Sequence, residues 1–315
     1  MRASELDPQL AAAIDEIEAT GVPEWHQLSV SAARRVEDEV FAGGDVPDVD
    51  LVRDLAFDGP HGEVPLRVYR PETTTPTRTL VYFHGGGWTL GTLDSIDGVC
   101  RELATRADAV VVSVDYRLAP EHPFPVAVDE AAAAVNWVRA NAPSFGGDPD
   151  RIGVAGTSAG GNLAAVTCLR DRDHDSGGID GPIIDSQFLL YPITDHAFDT
   201  DSYAENAGGP LLTREDMEWF FEQYLRSPVD GLNPYVSPLR ADSHESLPPA
   251  TVVTAGFDPL RDDGVAYADA LAGDGVDVRH RHYPAMAHGF LSLADRVGVA
   301  DEVLETVAAD VRERL

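Results

Sequence analysis

Residues 152–169 read Ile152-Gly153-Val154-Ala155-Gly156-Thr157-Ser158-Ala159-Gly160-Gly161-Asn162-Leu163-Ala164-Ala165-Val166-Thr167-Cys168-Leu169. An apolar run enters this stretch and a helix-forming run leaves it. Between them lies the pattern Gly-x-Ser-x-Gly, at Gly156, Ser158 and Gly160. A strand that turns directly into a helix around one serine bends so sharply that only small neighbours fit. The hydroxyl of Ser158 is then presented above the end of a sheet as a nucleophile. Five residues alone are weak evidence, because the pattern arises by chance in many chains. The partners that a serine nucleophile needs decide the reading.

The first partner stretch lies upstream. His84-Gly85-Gly86-Gly87 follows the strand-like run Thr79–Phe83. Consecutive glycines at the end of a buried strand are costly in conformational entropy. They make sense where bare backbone N–H groups must approach a substrate, as acyl transfer requires for its developing oxyanion. A merely flexible turn is the alternative. Downstream, an acid and then a histidine are needed, in that chain order. Asp258 ends the apolar run Ala250–Phe257, and His288 opens a small-residue loop after the alternating stretch Val276–Tyr283. Asp262 and Asp263 are rival acids, but they fall in the first turn of the next helix, where acidic side chains favour the macrodipole. His280 and His282 share one strand face and suggest a metal pair. With no cysteine or third histidine nearby they read as ordinary strand residues, and no metal site is expected.

Five stretches together resemble a known family. They are His84-Gly85-Gly86-Gly87-Trp88, Asp115-Tyr116-Arg117-Leu118-Ala119-Pro120-Glu121, Gly156-Thr157-Ser158-Ala159-Gly160-Gly161-Asn162, Asp258-Pro259-Leu260-Arg261-Asp262 and His288-Gly289-Phe290. In order and spacing, from about residue 80 to 292, they resemble the hormone-sensitive-lipase-like (family IV) carboxylesterases of bacteria and archaea, in the α/β-hydrolase superfamily. Thr157 stands where many members carry Asp. The difference touches no reacting atom and bears on subfamily and substrate preference. The resemblance implies an α/β-hydrolase fold, with a mostly parallel central sheet, helices on both faces and a helical cap.

Roles follow from chemistry. Ser158 attacks the ester carbonyl. His288 accepts its proton and later delivers it to the leaving alcohol. Asp258 orients the imidazole and stabilises its charged form. The N–H of Ala159 is expected in the oxyanion hole. By the resemblance those of Gly86 and Gly87 join it, and His84 and Gly85 support the loop.

Composition narrows the alternatives. The chain has 315 residues and a formal net charge of −31, and its 23 basic residues are all arginine. The absence of lysine excludes a Walker A phosphate loop, a Schiff-base cofactor and a Ser–Lys dyad. No Gly-x-Gly-x-x-Gly run appears, and an acidic chain is a poor partner for phosphate backbones. High net charge is a lever that halophile proteins use, and the composition reads as adaptation to a salt-rich cytoplasm. No run of 18 apolar residues marks a membrane span, and residues 1–7 lack the regions of a signal peptide. Cys100 and Cys168 are expected to be reduced and inert. The expected partner is a small-molecule ester, with no nucleic acid, membrane or cofactor. Association into a homodimer is left open.

Strand-like runs (Leu80–Phe83, Val110–Val114, Ile152–Ala155, Ile183–Tyr191, Thr251–Ala255, Asp277–Tyr283) alternate with helical ones (Ser95–Arg106, Val126–Ala140, Ala159–Leu169). Such alternation predicts a parallel sheet covered on both faces, with ligands at the carboxyl ends of its strands. Val64–Tyr69 is expected as an antiparallel edge. Leu6, Leu10, Ile14 and Ile17 recur at helical spacing. By the family resemblance, residues 1–50 are expected as an N-terminal cap segment, and residues 51–315 as the catalytic domain with a cap insertion at about 195–235. The insertion is rich in aromatics, including Tyr203, Trp219, Phe220, Phe221 and Tyr224. These and Trp88 are either pocket walls or core packing. Asp171–Gly178 reads as a solvated loop, lacking the later glutamate of a calcium-binding EF-hand. The function expected is a serine carboxylesterase for short- to medium-chain acyl esters. An amidase, formamidase or sugar-ester deacetylase would use the same triad, and a non-catalytic ligand receptor is the reading from another class.

Overall fold

A computed structural model describes residues 1–41, 46–73, 76–173 and 182–315. Strands β1 (Leu51–Gly59), β2 (Gly62–Arg70), β3 (Thr77–Phe83), β4 (Val110–Val114), β5 (Gly147–Thr157), β6 (Ser186–Leu190), β7 (Ala250–Phe257) and β8 (Val278–Ala287) build one sheet in the order β1-β2-β4-β3-β5-β6-β7-β8. Pairing is antiparallel for β1–β2 and β2–β4 and parallel throughout the rest. The helices are α1 (Pro8–Ala19), α2 (Val30–Phe41), α3 (Asp97–Ala107), α4 (Val126–Asn141), α5 (Ala159–Asp173), α6 (Asp201–Glu205), α7 (Arg214–Tyr224), α8 (Arg261–Gly273) and α9 (Gly298–Arg314).

Successive strand residues face opposite sides of a sheet, and the core divides accordingly. Val81 and Phe83 of β3 pack with Val135 of α4, Leu163 of α5 and Leu271 of α8 in one layer. Leu80 and Tyr82 pack with Leu103 of α3 and Leu304 of α9 in the other. Because both faces are covered, the central strands are apolar on both sides, and every residue of β4 is buried. Each such Val or Leu contributes roughly 1.5–3 kcal/mol relative to exposure. Cys100 and Cys168 are buried and unpaired in this core.

Val64–Tyr69 lies in β2, which is antiparallel as expected but is not an edge. Strand β1 covers its outer side across the register Leu51↔Arg70 to Gly59↔Gly62. In β1 only Phe57 is buried, so it lacks the continuous apolar run that marks its neighbours. Asp171–Asp173 belong to the last turn of α5. There Asp171 accepts hydrogen bonds from the backbone N–H groups of Ile183 and Ile184 at 2.7 and 2.9 Å. Residues 174–178 of the expected solvated loop lie outside the described residues. Among the described residues no helix is long and apolar enough to cross a membrane.

The topology brings the singled-out motifs together. β3 and β5 are parallel neighbours, and Phe83 pairs with Gly156 at their carboxyl ends. The glycine loop and the serine turn therefore leave adjacent strands side by side. Asp258 and His288 follow the last residues of β7 and β8, which also pair.

Candidate active site

The serine turn is as tight as its sequence requires. Ser158 sits at φ +55° between β5 and α5, a region that L-residues rarely enter. Its N–H donates to Leu190 O at 2.9 Å, and its carbonyl accepts from Asn162 N–H at 3.0 Å. Both anchors are backbone groups of the sheet and helix, so the strain is held by the surrounding fold. A Cβ at position 160 would meet Phe83 O at 1.9 Å. Glycine there lets α5 start directly against the end of β3.

The three side chains expected to act together do meet. His288 Nδ1 lies 2.8 Å from Asp258 Oδ2, and His288 Nε2 lies 2.9 Å from Ser158 Oγ. A carboxylate only accepts hydrogen bonds, so the ring hydrogen belongs on Nδ1 and the Nε2 lone pair faces the hydroxyl. Asp258 is fixed in turn, with Oδ1 accepting from Leu260 N–H at 2.8 Å. The arrangement can take a proton from Ser158 as its oxygen attacks a carbonyl carbon.

The rival acids differ in their surroundings. Asp262 bonds Arg261 Nε at 2.7 Å and Ser202 N–H at 2.8 Å. Burial, reinforced by Asp195 and Asp258, pushes the Asp263 carboxyl well above the usual carboxylate range, and its Oδ2 is buried without a hydrogen-bond partner. His280 Nε2 and His282 Nδ1 both meet the hydroxyl of Thr254, at 2.8 and 2.9 Å.

The glycine loop passes beside the serine, where a Cβ on Gly85 would lie 3.6 Å from Ser158 Cβ. Gly86 and Gly87 have φ +101° and +56°. A Cβ on Gly87 would strike the Phe220 ring at 2.2 Å, so a larger residue there would displace the wall facing the loop. His84 lies beneath. It stacks on Tyr116 at 4.3 Å and meets Gly85 O through Nδ1 at 2.7 Å. Tyr116 donates to His84 O at 2.9 Å. Burial pushes the His84 imidazole down to about 4, which keeps it neutral and makes it a prop for the loop and no proton carrier.

A cavity of about 250 Å³ opens over Ser158 and His288. Its walls come from the glycine loop, from α1, α2 and the short turn Trp25–Gln27, and from residues 208–220. Of the aromatics singled out in the sequence, Phe220 lines it. Trp88 does not; it stacks on Tyr224 at 4.1 Å and packs against Phe221 at 5.1 Å, a packing role. The two wall segments are tied together where His26 bonds Asp216 Oδ1 through both its backbone N–H and Nδ1, each at 2.9 Å. One ligand atom each from Glu24, His26 and Glu215 lies within 4.8 Å of the others. His26 Nε2 stands 3.6 Å from Glu24 Oε2 and 3.1 Å from Glu215 Oε2.

These positions match a known pattern of residues. A family model described as the α/β-hydrolase fold matches residues 80–292. The chain belongs to the α/β-hydrolase fold family. The carboxylic ester hydrolase LipN of Mycobacterium tuberculosis is 50% identical over 77% of the chain, which spans 65% of that relative's own length. The ethyl acetate hydrolase of Pseudomonas putida is 36% identical, covering 98% of the chain and 99% of the relative. A hyperthermophilic esterase from the archaeon Pyrobaculum calidifontis superposes with TM-score 0.91 at 38% identity, covering 98% of each chain. The resemblance to hormone-sensitive-lipase-like carboxylesterases is thereby borne out.

Glu37 is a wall residue of this α/β-hydrolase that the sequence did not disclose. It reaches the cavity from α2 and is buried. Burial pushes its carboxyl from the ordinary 4.5 up to about 7, against hydrogen bonds from Ser95 and from Gly91 N–H. Between those two values the folded state holds a proton that the unfolded state has released. Stability therefore falls as pH rises through that window and stays lowered above it. Glu37→Gln carries no such penalty. It is expected to gain at most about 3 kcal/mol over wild type near pH 8 and almost nothing below the ordinary glutamate value. Thermal melts of both proteins across that range check this. An equal gain at every pH would assign the effect to packing.

Proposed function

We propose that this α/β-hydrolase is a serine carboxylesterase for short- to medium-chain acyl esters. Ser158 is the nucleophile, His288 the general base and then acid, and Asp258 the group that orients His288. The observation that carries the reading is the continuous Asp258–His288–Ser158 hydrogen-bond chain opening into a cavity beside backbone donors. Attack of Oγ on the ester carbonyl sends the hydroxyl proton to Nε2 and the carbonyl electron pair to oxygen. The N–H groups of Gly86, Gly87 and Ala159 receive that oxyanion, with His84 and Gly85 holding the loop. Collapse expels the alcohol, protonated by His288, and leaves an acyl-enzyme that water hydrolyses by the same steps. Each oxyanion donor supplies roughly 3 kcal/mol of barrier lowering.

Residues 1–50 and about 195–235 act as a cap over the catalytic body of residues 51–315. Both contribute to the cavity wall, and so set which acyl and alcohol groups fit. A volume of about 250 Å³ is below the roughly 300–1,000 Å³ of drug-sized pockets, which suits small esters. The name of the Pseudomonas putida relative, ethyl acetate hydrolase, points the same way.

The chain further reads as an enzyme of a salt-rich cytoplasm, on its 54 acidic against 23 basic residues. At about 0.01 M ionic strength charges interact over roughly 30 Å, and at about 1 M over roughly 3 Å. The compact acidic state therefore repels itself least in salt.

One experiment addresses both. Initial rates on p-nitrophenyl esters of about two to sixteen acyl carbons, in dilute and in molar KCl, are expected to peak at about two to eight carbons, the range that the family resemblance implies and a small pocket suits. They are also expected to rise with salt. A preference for emulsified long-chain substrates would overturn the size reading. Turnover of amides without turnover of esters would favour an amidase. Rates and melting midpoints indifferent to KCl would overturn the salt reading alone.

A further inference from the structure

Helix α2 places one guanidinium behind the glycine loop, and its bonds lead into the oxyanion hole. We propose that Arg34 is a positioning residue for that hole, acting through two peptide groups in series. The inference rests on the assignment of Gly87 N–H as an oxyanion donor.

Arg34 Nε–H donates to Thr89 O at 2.9 Å. The other end of that trans peptide is the N–H of Leu90, which donates to Gly86 O at 2.8 Å. The other end of the Gly86 peptide is the N–H of Gly87. A trans peptide directs its C=O and N–H in opposite directions, so holding Gly86 O on one side fixes where Gly87 N–H points on the other. A second arm converges on the same oxygen. Arg34 Nη2 donates to Ala119 O at 2.9 Å. Ala119 N–H donates to Trp88 O at 2.8 Å, and the far end of that peptide, Thr89 N–H, donates to Gly86 O at 3.0 Å. Both bonds to Gly86 O therefore come from peptides whose own carbonyls are held, one directly by Arg34 and one by Ala119 N–H, which belongs to the peptide before the carbonyl that Arg34 grips.

The guanidinium is itself fixed. Glu121 accepts from Nη1 at 2.9 Å and from Nη2 at 2.7 Å, a forked geometry that sets the plane of the group. Serial hydrogen bonds polarise one another, so a charged donor at the head of the chain also strengthens the N–H at its end. One turn further along α2, buried Glu37 lines the same cavity. A shift of α2 therefore reaches the loop through Arg34 without touching the Asp258–His288–Ser158 chain. The same geometry gives the stretch Asp115–Glu121 a use, since it supplies the Ala119 link and the Glu121 fork.

The test compares Arg34→Ala, Arg34→Lys and Glu121→Gln with wild type, with rates normalised to active sites by burst titration. A trifluoromethyl ketone serves as the second readout. Ser158 Oγ adds to its carbonyl carbon, the proton passes to His288 Nε2, and the carbonyl electron pair becomes an oxyanion in the hole. Arg34→Ala is expected to lower kcat roughly 10- to 100-fold, below the loss of a whole donor, with KM within about twofold and the ketone Ki weakened in proportion. Arg34→Lys restores part of kcat, because it keeps the charge and loses the fork. Glu121→Gln loosens the fork and is expected to lower kcat by less than Arg34→Ala. Unchanged kcat in Arg34→Ala overturns the proposal. So does a rise in KM alone, or a kcat loss that leaves the ketone Ki unchanged. Wild type without burst or turnover would overturn the esterase reading together with this one, whereas an active wild type beside an indifferent Arg34→Ala would overturn only this one.

Discussion

Ser158→Ala is expected to lower kcat on p-nitrophenyl butyrate by about 10⁶-fold, the loss seen when a triad serine is removed, and to leave the melting midpoint almost unchanged. Only Oγ disappears. The backbone of residue 158 keeps its bonds to Leu190 O and Asn162 N–H, and alanine carries the same Cβ through the same φ. What remains is substrate binding and the oxyanion donors, which alone retain roughly 10³-fold over water. Residual turnover above about one part in a thousand of wild type, with contaminating esterase excluded, exceeds that background and would move the nucleophile elsewhere.

The second large effect falls on Asp258→Asn, expected to lower kcat by about 10⁴-fold with little change in fold. The local bonds say why. Leu260 N–H already donates to Oδ1 at 2.8 Å, so the asparagine keeps its carbonyl oxygen there and turns its NH₂ toward His288. Nδ1 must then accept, the ring hydrogen moves to Nε2, and the imidazole meets Ser158 with a donor where an acceptor is required. Asp262→Asn and Asp263→Asn should each cost less than about tenfold, since neither side chain bonds the reacting chain and an electrostatic change of about one pKa unit bounds the effect. Steady-state kinetics of the three variants decide the matter. A large loss in Asp263→Asn beside a small one in Asp258→Asn would sink the assignment.

The reaction centre was legible because its signals are local. The Ser158 turn needs glycine at 156 and 160 whatever surrounds it, and the strand ends at Asp258 and His288 show in hydrophobic runs only a few residues long. Chain order then joined the three. Strand β1 was not legible, because an outer strand with one buried residue leaves no run of apolar positions. The walls were less legible still. Arg34 and its partner Thr89 are 55 residues apart, and Arg34 and Glu121 are 87 apart. Nothing in the sequence near α2 announces either contact. Glu37 reads as an exposed helical glutamate and is buried. Trp88, beside the glycine loop in sequence, points away from the cavity because Tyr224 offers a flat ring to stack on.

The placement of the nucleophile and the glycine loop on neighbouring strands divides the molecule by its tolerance of change. The spacing of the serine turn and the glycine loop is set by the rung that joins Phe83 to Gly156, where both strands are buried. The wall facing the substrate is drawn instead from Trp25, Val36, Val40, Leu211, Leu212, Met217 and Phe220, none of which lies in the sheet. Those side chains can be exchanged to admit a longer acyl group or a bulkier alcohol while the reacting atoms keep their spacing. Arg34, on the same helix as Val36 and Val40, is the exception. A library built to broaden the substrate range of this hydrolase should vary the apolar positions of α2 and hold Arg34 fixed.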